Sequence, residues 1–99
     1  MTELTGRIAV VTGAARGMGR AFARRLGERG ADVVGVDVLD CSDMVADVQA
    51  TGRRAMGLVA DISSPERVAE IAGRVRDELG EAAILVNNAG LHPVPTPFE

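Results

Sequence analysis

An α/β fold built on a parallel sheet is predicted by three features of the sequence. Four short apolar runs recur along the chain, amphipathic stretches of about 10–15 residues separate them, and glycine or a polar residue follows each run. Such alternation implies right-handed crossovers that return each strand parallel to the last. The composition agrees: 99 residues, 46% hydrophobic and 25% charged, are those of one small globular domain, not of a disordered tail.

Each element has its own signal. Ile8-Ala9-Val10-Val11 reads as a strand buried on both faces. Residues 12–19 form a glycine-rich turn, and a helix is expected over 18–29. Met18, Ala21, Phe22 and Leu26 fall on its apolar face, Arg20, Arg24 and Glu28 on another, and Gly30 is placed to end it. Val33 to Val36 is the second strand, with Asp37 at its end. A weaker helix is expected over 42–51, with Ser42 or Asp40 as cap, Met44, Val45 and Val48 inward and Gly52 as stop. Residues 55–60 read as the third strand, ended by Asp61. Ser63 and Glu66 have capping-box spacing, and Pro65 suits a first helical turn. Val68, Ile71, Ala72, Val75 and Leu79 then form one apolar stripe, closed by Gly80. Residues 83–86 are the fourth strand, running into Asn87-Asn88-Ala89-Gly90. The order is βαβαβαβ. The tail carries Pro93, Pro95 and Pro97, so it should be extended and unsuited to a central strand.

Composition also excludes function classes. No apolar run approaches the roughly 18–20 residues that span a bilayer, and the N-terminus lacks the pattern of a secretory signal. A single cysteine, Cys41, cannot form an internal disulfide, which fits a reducing cytoplasm, the expected location. A net charge of −3 argues against a nucleic-acid partner. The chain has no tyrosine and no lysine; all 11 basic residues are arginine.

The chemistry centres on the turn. Gly13, Gly17 and Gly19 lie directly between a strand and a helix. Glycines there allow positive torsions and close approach of a phosphate to the main chain. The helix start that follows offers free N–H groups and a positive dipole end. The spacing G-x-x-x-G-x-G is neither G-x-G-x-x-G nor the lysine-containing P-loop. Taken as packing alone, the glycines would simply make a tight turn; strand before, helix after and an acid about 20 residues on favour a dinucleotide.

That acid is Asp37, 18 residues after Gly19. A carboxylate at the end of the second strand can accept hydrogen bonds from an adenosine ribose and repels a 2′-phosphate, so NAD is expected over NADP. Arg16, inside the turn, could pair with such a phosphate or be a solvated surface arginine. Asp61 ends the third strand on the same side, as a cofactor neighbour, a cap for the next helix, or both.

Thr12-Gly13-x-x-x-Gly17-x-Gly19, Asp37, Asp61-Ile62 and Asn87-Asn88-Ala89-Gly90 together resemble the classical short-chain dehydrogenase/reductase family, over nearly the whole chain and in order. The resemblance implies a Rossmann-type doubly wound sheet, a nicotinamide dinucleotide, and hydride transfer between it and a small-molecule alcohol or carbonyl carbon. It assigns Gly13, Gly17 and Gly19, with Arg16 and Met18 beside them, to the pyrophosphate, and Asp37 to the adenosine ribose. Asp61 and Ile62 are assigned to the adenine, and Asn88, Ala89 and Gly90 to the nicotinamide side. Asn87 is implied to stabilise the sheet. The full-length protein is expected to be a homo-oligomer, a dimer or tetramer.

The family's serine, tyrosine and lysine lie well downstream of Asn-Asn-Ala-Gly, and the tyrosine and lysine have no counterpart in these 99 residues. Ser42, Ser63 and Ser64 match no catalytic position, and His92, the one histidine, follows the fourth strand as a solvated loop residue or a substrate contact, the former favoured. The chain is therefore expected to be the N-terminal, cofactor-binding part of a single domain, with the catalytic part outside it. The first two helices should cover one sheet face, the third the other, and the fourth strand should form an open apolar edge. Two alternatives stand beside this: a non-catalytic dinucleotide-binding module or truncated product, and a methyltransferase-like relative, against which the glycine spacing argues.

Overall fold

The computed structural model describes residues 3–63 and 65–88. The chain runs β1 (Ile8–Thr12), α1 (Gly17–Glu28), β2 (Asp32–Asp37), α2 (Ser42–Gln49), β3 (Ala55–Val59), α3 (Pro65–Glu78) and β4 (Ile84–Asn87). The four strands form one sheet in the order β3-β2-β1-β4, and every pair is parallel. From β1 the chain steps outward to β2 and β3, then returns to the opposite side of β1. That reversal lies between β1 and β4, where parallel α/β sheets open a crevice beyond the strand ends. Thr12 is in register with Val36 on one side and Asn87 on the other, so Gly13, Asp37 and Asn88 leave the sheet at the same end.

Alternation along the strands builds a core on each face. On one, Val11, Ala14, Ala15 and Val33 pack with Ala23 of α1 and Cys41, Met44 and Val48 around α2. On the other, Ile8, Val34, Val36, Leu58 and Ala60 pack with Val75 of α3, while Val10, Ile62, Ile71 and Leu79 lean on them. Two helices on one face and one on the other is the expected distribution. Cys41 is 2% exposed, and burial, aided by the charges of Asp37 and Asp40, pushes its thiol up to about 11. It serves as a packing residue.

Two local expectations are corrected. First, α1 does not bury the face carrying Met18, Ala21 and Phe22; Met18 is 60% exposed and Phe22 38%. Its buried residues are Gly19, Ala23 and Gly27, with Leu26 partly covered. A methyl on Gly27 would stand 2.9 Å from Thr51 Oγ1 and 3.1 Å from Val48 Cγ1, so α1 meets α2 through its smallest side chains. Second, neither Ser42 nor Asp40 is the N-cap of α2; that residue is Cys41. Asp40 instead accepts the Ser42 N–H at 3.1 Å and the Ser42 hydroxyl at 2.7 Å. Before α3, the Ser63 N–H donates to Asp61 Oδ1 at 2.9 Å. Position 64, which flanks the helix, lies outside the described residues, as does the proline-bearing tail.

Among the described residues no strand lies beyond β4, and that edge is apolar as expected. Leu85 is 69% exposed, and β1, α3 and β4 border a groove of about 520 Å³ whose walls include Val10, Ile71, Val75 and Leu85. Among the described residues, no helix is long and apolar enough to cross a membrane.

At the opposite end of the sheet, Asp32 is 2% exposed yet charged. Its carboxylate accepts the Arg54 N–H at 3.0 Å and the Arg54 guanidinium at 2.9 and 3.0 Å, and Arg53 Nη2 stands 3.2 Å away. Burial raises the Asp32 carboxyl, but the Arg54 N–H, the Arg54 guanidinium and the Arg53 charge outweigh it and hold the group below its ordinary 3.8. A depressed folded-state value makes the contribution present above 3.8 and lost as pH falls through the lower native value. Asp32→Ala is expected to cost about 2 kcal/mol near neutrality. Urea melts at neutral and acidic pH check it: the gap to the parent must shrink on acidification, and an equal gap at both would assign the loss to packing alone.

Candidate functional site

The turn between β1 and α1 uses its glycines for two different reasons. Gly13 and Gly17 have φ of 65° and 61°, in the left-handed region that a Cβ disfavours. A methyl on Gly17 would meet nothing within 4 Å, so its requirement is torsional and that side of the turn is open. Gly19 is held by space instead. A methyl there would overlap the Gly13 carbonyl oxygen and stand 2.7 Å from its carbon and 2.8 Å from Asn88 Nδ2.

Arg16, extended at φ −160°, precedes α1 without a side-chain cap, and no acid sits in the first turn. The helix therefore presents its N-terminal N–H groups and positive end to the open side. An anion fits there in charge and in space. Arg16 and Met18 flank the opening, both exposed, and Arg16 makes no ion pair among the described residues. Arg20, one turn further, is committed to α2, donating to Asp47 at 2.6 and 3.1 Å.

Asp37 closes the opposite wall. Its Oδ2 accepts the Ala15 N–H and its Oδ1 the Leu39 N–H, each at 3.0 Å. The Ala60 N–H donates to the Asp37 carbonyl at 2.8 Å, which brings Asp61 alongside. Asp61 is exposed, and the Ser63 N–H and hydroxyl hold its carboxyl below the ordinary carboxylate range. Ile62 is half-buried against the α3-side core.

The end of β4 is tied to the turn. Asn88 Nδ2 donates to the Gly13 carbonyl at 3.2 Å. The Thr12 hydroxyl lies 3.1 Å from Asn87 Oδ1 and 3.4 Å from the Val86 carbonyl, and donates toward both. Asn88→Ala is expected to cost about 1 kcal/mol, read as a lowered thermal midpoint. A midpoint equal to the parent's would show that the turn holds without this bond.

The structure thus brings Gly13, Gly17, Gly19, Asp37 and Asn88 into one cluster, sets Arg16 and Met18 at its mouth, and places Asp61 and Ile62 beside Asp37. Ala89, Gly90 and His92 lie outside the described residues. Sequence reading missed Ala15 and gave Thr12, quoted in the glycine motif, no role of its own. The donor on Ala15 is a backbone N–H, which leaves no mark on residue type. Thr12, a hydroxyl at the end of an otherwise apolar run, could have been assigned the link to β4.

Known proteins resemble this chain in sequence and fold. The sequence pattern of the short chain dehydrogenase family matches residues 7–99. The 2-dehydro-3-deoxy-D-gluconate 5-dehydrogenase of Escherichia coli (strain K12) is 39% identical over 89 residues, 90% of this chain and 35% of that protein. The 3-oxoacyl-(acyl-carrier-protein) reductase of Pseudomonas aeruginosa is 41% identical over 91 residues, 90% of this chain and 37% of that protein. A crystal structure of a short chain dehydrogenase from Mycobacterium paratuberculosis bound to NAD superposes with a TM-score of 0.84 at 34% identity, covering 91% of this chain and 39% of that one. The chain therefore spans a little over a third of the length of these proteins. With the family pattern matching residues 7–99, and with relatives about 40% identical over 90% of its length, the chain belongs to the short chain dehydrogenase family.

Proposed function

We propose that this chain is the dinucleotide-binding part of an NAD-dependent oxidoreductase, residues 1–99 forming the N-terminal portion of one Rossmann domain. The observation that carries the reading is the uncapped start of α1 facing an open glycine turn, with Asp37 on its far wall. The two dehydrogenase and reductase relatives and the NAD-bound neighbour support it.

In this reading Gly13, Gly17 and Gly19 let the main chain approach the pyrophosphate, Met18 flanks it and Arg16 offers it charge. Asp37 accepts from the adenosine ribose, Asp61 and Ile62 border the adenine, and Asn88, with Ala89 and Gly90, lies toward the nicotinamide. The bound nicotinamide supplies hydride transfer to or from an alcohol or carbonyl carbon of a small molecule. The residues of this chain bind and orient. The proton transfer that the family resemblance assigns to a tyrosine and lysine is not carried here, since the chain has neither.

Titration with NADH and NADPH, followed by nicotinamide fluorescence, tests the reading. Saturable NADH binding, tighter than NADPH, is expected. Absence of binding to either would remove the proposal, and retained binding of a methyl-donor nucleoside instead would point to a different Rossmann chemistry.

A further inference from the structure

We infer that Asp37 has a second task, as a positioning residue that braces the glycine turn independently of any contact with a ribose; this rests on the dinucleotide reading above. Ala15 stands midway between Gly13 and Gly17, the two residues whose positive torsions make the turn. It is 8% exposed and Ala14 is fully buried, so the turn's middle is pressed into the core. A buried N–H there needs an acceptor, and Asp37 Oδ2 supplies it at 3.0 Å. The other oxygen is fixed by the Leu39 N–H at 3.0 Å, so the carboxylate is itself held from behind. Asn88 grips the turn at Gly13 and Asp37 grips its centre.

Two effects of Asp37 on an anion at the turn have opposite signs. Its charge repels the anion, whereas its hold on Ala15 keeps the turn in the shape that admits one. Two substitutions separate them. Asp37→Asn removes the charge and keeps one oxygen that can accept the Ala15 N–H, giving up the bond from the Leu39 N–H, which is exposed to water. Asp37→Ala removes both. Inorganic pyrophosphate is the probe, because it has no ribose for Asp37 to touch.

The experiment is a pyrophosphate titration of the chain followed on the Gly17 and Gly19 amides by NMR, with amide exchange of Ala15 measured on the same samples. Asp37→Asn is expected to bind pyrophosphate roughly threefold tighter than the parent and to keep the Ala15 N–H protected. Asp37→Ala is expected to bind about fivefold weaker, with the Ala15 N–H exchanging about tenfold faster. Should Asp37→Ala not fold, Asp37→Ser takes its place, its shorter side chain leaving the Ala15 N–H without its acceptor. Tighter pyrophosphate binding by both variants, or unchanged Ala15 exchange, would overturn the brace and leave the dinucleotide reading intact. A parent chain that binds neither pyrophosphate nor NADH would overturn both.

Discussion

Gly19→Ala is expected to lower stability by about 3 kcal/mol and to abolish NADH binding. The added carbon would overlap the Gly13 carbonyl oxygen and press on the carbonyl carbon at 2.7 Å. Both are main-chain atoms at the end of β1 and have little room to yield. The same methyl would stand 2.8 Å from Asn88 Nδ2, so relief by moving Gly13 would cost the bond from Asn88 as well. Gly17→Ala is the internal control. It meets no atom within 4 Å and carries only the torsional penalty of its φ of 61°, about 1 kcal/mol. Denaturant unfolding of the two variants should rank Gly19→Ala well below Gly17→Ala. Equal losses would mean that torsion, not space, governs both glycines, and the close approach of α1 to β1 would have to be abandoned.

The contrast between those two glycines also shows what the sequence could and could not convey. Strand and helix alternation was readable because apolar runs and amphipathic stretches obey fixed periods, and the four strands fall within a residue or so of the runs that mark them. The distribution of helices over the sheet followed from their crossovers. The inward face of α1 was not readable in the same way. Hydrophobic periodicity weighs large side chains, so Met18 and Phe22 marked the wrong face, while the buried line Gly19, Ala23, Gly27 has almost no side chain to weigh. At the site, Gly13, Asp37 and Asn88 were legible as residue types at telling spacings. What joins them was not: Asp37 meets an alanine through its main chain, and Asn88 meets a carbonyl. Buried Asp32, with Arg53 and Arg54, escaped notice because nothing in a lone acid before an apolar run announces that two arginines, 21 and 22 residues on, will fold over it.

Asp37→Asn is expected to raise NADPH affinity relative to NADH about 100-fold, or roughly 2.7 kcal/mol. A carboxylate within about 4 Å of a phosphate dianion is repelled by several kcal/mol at the effective dielectric of a protein surface, and solvent exposure reduces that figure. Asparagine removes the repulsion and accepts less well from the ribose hydroxyls of NADH, so the ratio moves from both sides. Because its oxygen still serves the Ala15 N–H, the turn should survive and the change should be one of specificity, not of folding. Arg16 then decides how far the preference swings. It is exposed at the mouth of the turn and makes no ion pair among the described residues, so it is available to a 2′-phosphate once Asp37 no longer opposes one. Asp37→Asn combined with Arg16→Ala should return about tenfold of the gain. Acidity offers a second handle on the parent chain. A phosphate loses one of its two charges below about pH 6, so the parent's discrimination against NADPH should weaken as pH falls through that value. Fluorescence titrations of both nucleotides across this range, on the parent, the single variant and the double variant, read all three expectations. An unchanged ratio in Asp37→Asn would place the adenosine ribose away from β2, and a double variant no different from the single one would leave Arg16 as solvated surface.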